Sequence, residues 1–569
     1  MTIKMDTESS ASAVRKPGKV RGRIVVILTV FLLISAIAAT FLAVYLTKDE
    51  DQAHANHPEL QRQEETCQDV AIIGAGVGGS YIAWRLRDQN LSVTVYEYSD
   101  RVGGRMHSVR FRDIPDISIE LGAMRFLPDI HLLMNATAHA IGVSVDDFKP
   151  GLGLDMDTPM FVRDKHFKRS EATTSGPYNL KPDERAKDDV HLRWSSYVNG
   201  TNFSPGQVDP HNKTFVMYLK TKDGVELYKQ SAKLAYTTIG LSGEAIELLR
   251  DTFGFYSYSG DISAATNIPA WNPDASSSNI QAKTIKEGMD QIPRRLMEHF
   301  LNASTRNHLR KNHRLKKIQK RNDGAFQLEF QETVTSNEIT IDSNIEKTVC
   351  AQRVVLAVPK MALQKIEWNA LRQTDIKDML ENSSQDSPAA KVFLAYNIPW
   401  WQGLKSKIKH SLSDRPNRQT YDFGTSAVSN RSVLLAVYTD MEDVTFWRDI
   451  QFMDNPYKNC SLKVSTCVSA KVVEYAHKFL SEIYNISVDK IPDPIDTAIS
   501  LWDKYPYGAA WHVWRPGYIW NNVRDKMIQP VQTDNVFISS GVFTASGEGD
   551  SWAESALNAA ELVLKRILQ

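Results

Sequence analysis

The sequence predicts an α/β fold preceded by one transmembrane helix. A strand–glycine loop–helix–strand unit ending in an acidic residue lies at positions 69–97, and an uncharged 23-residue run, Ile24 to Leu46, precedes it. The composition is globular: 42% of the 569 residues are hydrophobic and 24% are charged, which argues against long disorder. At roughly 100–200 residues per domain, the length suggests two or three domains with large cores. Lys+Arg and Asp+Glu both number 67, so the formal net charge is zero. That balance excludes a broad electrostatic footprint for nucleic acid. Four cysteines exclude a disulfide-dense scaffold and a zinc-ribbon array.

The run IVVILTVFLLISAIAATFLAVYL at 24–46 is long enough to cross a bilayer as a helix. Arg15, Lys16, Lys19, Arg21 and Arg23 crowd its N-terminal flank, and Asp49, Glu50 and Asp51 follow it. The positive-inside rule then keeps residues 1–23 as a cytoplasmic tail and puts the rest outside or in a lumen, a single-pass type II arrangement. A cleaved signal peptide ending near Ala38 is the alternative, but the apolar run continues well past that point. Residues 47–66 are polar and read as a stalk. Asn-x-Ser/Thr triplets begin at Asn90, Asn135, Asn199, Asn202, Asn212, Asn302, Asn382, Asn430, Asn459 and Asn485, all after the apolar run. The cysteines suit the same oxidising compartment. Cys460 and Cys467 can close a small loop, and Cys67 and Cys350 can bridge if the strands that follow them are neighbours; sequence alone leaves all three pairings open.

The short apolar strand Asp69–Ile73 runs into a G-x-G-x-x-G loop at Gly74, Gly76 and Gly79. A helix pattern and a second strand follow, ending at Glu97. Gly74 allows the tight turn, Gly76 lets the backbone approach a pyrophosphate, and Gly79 permits close helix–strand packing. Glu97 is placed to accept hydrogen bonds from a ribose. The fingerprint alone does not separate NAD from FAD.

The next segments do. EYSDRVGGR, with Arg105 as its last residue, and ELGAMRF, from Glu120 to Phe126, resemble the start of the flavin amine oxidases. That resemblance implies FAD, with Arg105 meeting the pyrophosphate and Gly122, Ala123 and Met124 lying against the cofactor. Glu287–Pro293 resembles the family's turn and helix start. Leu315 then begins a strand whose backbone would face the adenine, and Arg353–Pro359 reads as a buried parallel strand. Near the C-terminus, Gly541, Trp552 and Ala553 fall in a strand, turn and helix resembling those that wrap the flavin. Val542 departs from the pattern, since many relatives have glutamate there, and weaker FAD retention is expected. No cysteine follows Cys467, so FAD should be non-covalent.

Within the family, an α-carboxylate on the substrate calls for a cationic partner, and the arginine fork suits it. Arg125 is at the position where L-amino-acid oxidases carry that arginine, and Tyr438 matches a tyrosine that assists it. Lys391, in the apolar run AAKVFLAY, reads as part of a half-buried strand; relatives use a lysine here to hold a water near the flavin. YGAAWHVW at 507–514 is closest in wording to the mollusc antibacterial L-amino-acid oxidases. Trp511 and Trp552 are candidate pocket walls, and His512 reads as structural. There is no metal-binding spacing.

The architecture this implies is a discontinuous Rossmann-like FAD-binding domain from about 67–108, 285–360 and 530–569. A mixed-sheet substrate domain takes about 109–165 and 362–529, and a helical insertion about 166–284 with a polar, irregular first part. The expected activity is oxidative deamination of L-amino acids by dioxygen, giving 2-oxo acids, ammonia and hydrogen peroxide. A polyamine or monoamine oxidase, or a membrane glycoprotein that keeps the fold without catalysis, are the rival readings; Val542 is the feature favouring the last. A homo-oligomer is left open.

Overall fold

The computed structural model describes residues 67–152, 155–204, 214–258, 260–267, 281–404, 409–544 and 552–569. The apolar run 24–46 and the polar segment 47–66 lie outside the described residues. Among the described residues, no helix is long and apolar enough to cross a membrane.

A seven-stranded sheet is built from distant parts of the chain. The fingerprint strand Gln68–Ile73 runs parallel to Val93–Tyr96 on one side and to the end of Ile339–Leu356 on the other. Asn307–Arg310 continues the parallel set beyond Val93–Tyr96, and Val536–Ile538 pairs with Val354–Leu356. These central strands are apolar on both faces because helices cover one side and the rest of the chain the other. Helices Val77–Leu86, Gln291–Ala303 and Ala553–Ile567 pack together on one face, burying Ile82, Leu296, Phe300, Leu557 and Val563. His313–Lys320 and Phe326–Ser336 form an antiparallel meander with the first half of Ile339–Leu356. Two disulfides join Cys67 to Cys350 and Cys460 to Cys467. The first spans neighbouring strands, since Gln68 stands opposite Ala351 in the parallel register.

A second seven-stranded sheet is mixed. Its strands follow the order Asp496–Leu501, Ala389–Tyr396, Ser432–Asp440, Gln419–Thr425, His410–Ser413, Pro159–Val162 and Lys165–Lys168. Only the pairing of His410–Ser413 with Pro159–Val162 is parallel. The lysine-bearing strand differs from its sequence reading. All eight residues of Ala389–Tyr396 are buried, because it is hydrogen-bonded on both sides and covered on both faces.

The region 166–284 supplies helices Pro182–Arg185, Asp189–Gly200, Thr214–Met217, Ala232–Ile239, Gly243–Phe253 and Ala264–Asn267. Within the part read as irregular, Pro182–Arg185, Asp189–Gly200 and Thr214–Met217 are helical. Its helices start where short polar side chains take up free N–H groups: Asp188 accepts from His191, Ser231 from Leu234 and Ser242 from Ala245. Gly254 ends the Gly243–Phe253 helix in the left-handed conformation, φ +81°. It thereby turns the chain toward the second sheet.

Candidate active site: a dinucleotide cradle beside a buried lysine and arginine

The glycine loop is shaped by contacts only glycine permits. A Cβ on Gly79 would lie 1.9 Å from the Gly74 carbonyl oxygen, so the Val77–Leu86 helix can approach the strand only without a side chain there. Gly76 is different: a Cβ on it would meet nothing within 4 Å. Its side-chain direction is open among the described residues. Glu97 closes the loop from behind, accepting from the Ala75 N–H at 2.8 Å with one oxygen and from the Ser99 N–H and Oγ with the other. The strand His313–Lys320 meets the same residue, since the His313 N–H donates to the Glu97 carbonyl at 2.8 Å. Leu315 lies at a bulge two residues further on.

The second glycine segment docks on the first, with the Gly103 N–H donating to the Ala75 carbonyl at 2.9 Å. Arg105 is half-buried and donates to the Ala510 carbonyl at 2.8 Å. Among the described residues no carboxylate pairs with it, and burial holds its guanidinium below the usual arginine range. The ELGAMRF loop is clamped against it: the Ala123 N–H donates to the Arg105 carbonyl, and a Cβ on Gly122 would strike that same oxygen.

The C-terminal turn packs on the other side. Gly541 abuts Ser555 at the start of the Ala553–Ile567 helix, and Gly78 abuts Ala556 of the same helix. Trp552 is the N-cap of that helix and gives it no side-chain cap. Glu554 turns away to accept from the Leu133 and Met134 N–H groups at 2.8 and 2.7 Å, so its charge is spent on another helix N-terminus. The glycine loop therefore brings together two helix N-termini without side-chain caps, an open glycine at Gly76 and, among the described residues, an arginine without a carboxylate partner. These residues fit a pyrophosphate-linked dinucleotide.

A second cluster of candidate residues centres on Lys391, 3% exposed. Its ammonium donates to the carbonyls of Glu120 at 3.1 Å and Gly122 at 2.6 Å and lies 4.9 Å from the centre of the Tyr438 ring. Tyr438 stands directly opposite Lys391 in the antiparallel register. Burial pushes the lysine down to about 7, with the Arg125 charge acting in the same direction against the pull of Glu120. Burial pushes the Glu120 carboxyl up to about 8, although it accepts from Ser108 Oγ at 2.7 Å and from the Met289 N–H at 3.0 Å.

Arg125 is buried, and its guanidinium lies 5.4 Å from the Phe148 ring centre and 5.6 Å from that of Tyr421. Its protein acceptor is the Gly151 carbonyl, and among the described residues no carboxylate pairs with it. Met124, just before it, is buried and held through its carbonyl by Thr284 Oγ1. Trp511 joins the cluster through Phe255, whose ring meets Tyr438 at 5.1 Å and Trp511 at 5.3 Å between centres. Trp552 does not join it through any ring contact; its ring faces His131 at 4.8 Å. His512 is held 3.3 Å from Asp386, and burial pushes it down to about 4, which suits a neutral structural role.

A family model described as flavin containing amine oxidoreductase matches residues 81–568. The chain belongs to this family. The cofactor of this flavin containing amine oxidoreductase is FAD, and the glycine loop, Arg105 and the two helix N-termini are the groups that fit it. Among curated proteins, the chain is 29% identical to Achacin of Lissachatina fulica over 505 residues, 88% of this chain and 92% of that one. It is 25% identical to the L-amino-acid oxidase of Siganus canaliculatus over 388 residues, 66% of each chain. Among solved structures it resembles cyclohexylamine oxidase from Brevibacterium oxydans IH-35A, with a TM-score of 0.62 and 15% identity over 88% of this chain and 98% of the other. That likeness shows the shared fold.

Two residues of the oxidoreductase site were not singled out from sequence. Glu120 had a signal, since an acid in an apolar segment opposite no obvious base invites a search for a partner. Phe255 had none: it follows a helix of the insertion, and nothing local places its ring against a strand residue 183 positions away.

Proposed function

We propose that the protein is an FAD-dependent L-amino-acid oxidase, held in a membrane by the segment 24–46 with its catalytic part outside the cytoplasm. The observation that carries the substrate reading is Arg125: a buried guanidinium, beside Tyr421 and close to Lys391 and Tyr438, with no carboxylate of its own among the described residues. Burying a cation without an anion is costly, and a substrate carboxylate would supply one with the right fork geometry. FAD, when bound, would supply the acceptor for the hydride of the Cα–H bond, with dioxygen as the terminal oxidant. Arg125 and Tyr438 orient the amino acid, and the ring cluster excludes water. Lys391, held near neutrality, is able to hold or pass a proton beside the reacting carbon. The L-amino-acid oxidase named above is a relative that supports this reading.

FAD is proposed to be non-covalent, because all four cysteines are paired in disulfides and no thiol is left to attach it. The extracytoplasmic placement is supported by those disulfides and by the nine triplet asparagines that are described, none of which is buried. The test is a peroxide-release panel on purified residues 51–569, pairing each amino acid with the amine that lacks its carboxylate. Preference for the amines would replace the proposed substrate class. Glycosidase treatment of full-length protein extracted from membranes should lower its apparent mass; an unchanged mass would overturn the topology.

A further inference from the structure

Asp440 ends the strand that carries Tyr438 and is fully buried. Both of its carboxylate oxygens are taken by one turn of the helical insertion: the Tyr256 N–H donates to Oδ1 at 2.8 Å and the Ser257 N–H to Oδ2 at 2.9 Å. No arginine or lysine forms an ion pair with Asp440 among the described residues. Arg418, the buried cation nearby, pairs with Asp251 at 3.3 Å and lies 4.3 Å from the Tyr256 ring centre. A buried carboxylate satisfied by two backbone donors fixes those donors in place.

The turn so fixed is Phe255–Tyr258. A second tether holds its start, since Gln419 Nε2 donates to the Gly254 carbonyl at 2.7 Å. Phe255 meets both Tyr438 and Trp511 edge to face. Ser257 Oγ accepts from Trp511 Nε1 at 3.0 Å. One carboxylate on the sheet thus fixes a ring from the insertion and, through Ser257, the indole that faces it.

We propose that Asp440 is a positioning residue that seats the Phe255–Tyr258 turn against the sheet and, through Phe255 and Trp511, holds the wall against which a large substrate side chain packs, so that the site favours a large side chain over a small one. The proposal rests on Tyr438 and Trp511 facing the substrate. It assigns size selection partly to the insertion, through a group that need not touch substrate.

The experiment compares Asp440→Ala, Asp440→Asn, Phe255→Ala and the double variant Asp440→Ala/Phe255→Ala on leucine and alanine, with FAD content and visible spectrum recorded for each. Asp440→Ala should raise KM for leucine about tenfold or more, keep kcat within about threefold, and narrow the leucine-to-alanine ratio of kcat/KM. Asp440→Asn retains one acceptor and should fall between Asp440→Ala and wild type. The double variant should discriminate no worse than Phe255→Ala alone, because both changes remove the same wall. An unchanged discrimination ratio with lower melting temperature and FAD content would reduce Asp440 to a fold-stabilising residue and overturn the proposal. So would multiplicative effects in the double variant. If Asp440→Ala does not fold, Asp440→Asn and Phe255→Ala decide the matter by whether they narrow the same ratio. Should wild type oxidise only amines, the same cycle with isopentylamine and ethylamine tests the turn separately from the amino-acid reading.

Discussion

Replacing Arg125 by alanine tests the carboxylate clamp most directly. The guanidinium is buried between Phe148 and Tyr421, and its protein acceptor is one backbone carbonyl, that of Gly151. Most of its hydrogen-bonding capacity is therefore open to a ligand. A bidentate pair with a substrate carboxylate makes two charge-assisted hydrogen bonds, each worth about 1.5–3 kcal/mol. Their loss, about 3–6 kcal/mol in sum, corresponds to roughly two to four orders of magnitude in kcat/KM. The assay is peroxide release from leucine and from isopentylamine, the same side chain without the carboxylate. Arg125→Ala should lose leucine turnover by that factor while the low amine activity does not fall in parallel. Arg125→Lys should restore little, because a point charge does not reproduce the fork. The folded protein should keep its melting temperature within a few degrees, since among the described residues the deleted charge has no carboxylate partner to strand. Equal losses on both substrates, or no loss on leucine, would refute the clamp.

Lys391→Met should leave leucine binding largely intact and slow flavin turnover by about a hundredfold, measured as separate reduction and reoxidation phases by stopped flow; unchanged rates in both phases would remove lysine from the chemistry. Gly76→Val should fold, because a Cβ at Gly76 meets nothing within 4 Å and its φ is −70°, yet bind no FAD, read as lost absorbance near 450 nm at an unchanged apoprotein melting temperature. Glu120→Gln tests the buried acid through pH. The fold raises this carboxyl from its ordinary value to about 8, so its stabilising contribution is fully present below the ordinary carboxyl range and is lost as pH rises through about 8. Wild type should therefore lose melting temperature relative to Glu120→Gln between pH 5 and 9; parallel curves would show that Glu120 does not titrate there.

The fingerprint was legible because its parts are close in sequence. Strand, glycines, helix and Glu97 span about thirty residues, and the roles of Gly74 and Gly79 follow from backbone sterics that no distant contact changes. Arg105 was legible for a related reason, since it sits in register behind that unit. Lys391 was recognisable as a lysine in an apolar run, but its degree of burial was not. A strand's two faces are covered by whatever the rest of the chain brings, and here both are covered. Trp552 was read as a pocket wall, and the structure places it at a helix start with its ring 4.8 Å from that of His131.

The sequence by itself determined the local unit that admits a dinucleotide, the cationic and aromatic residues available for a substrate, and the cysteines available for pairing. Only the tertiary structure decided which of them meet. Register set Tyr438 opposite Lys391 and the Cys67 strand beside that of Cys350. Long-range packing brought Phe255 from the insertion to the sheet and left Arg125 without an acidic partner among the described residues. The shifts of Lys391 and Glu120 belong to the same class, because desolvation depends on everything that surrounds a group, most of it brought from distant parts of the chain.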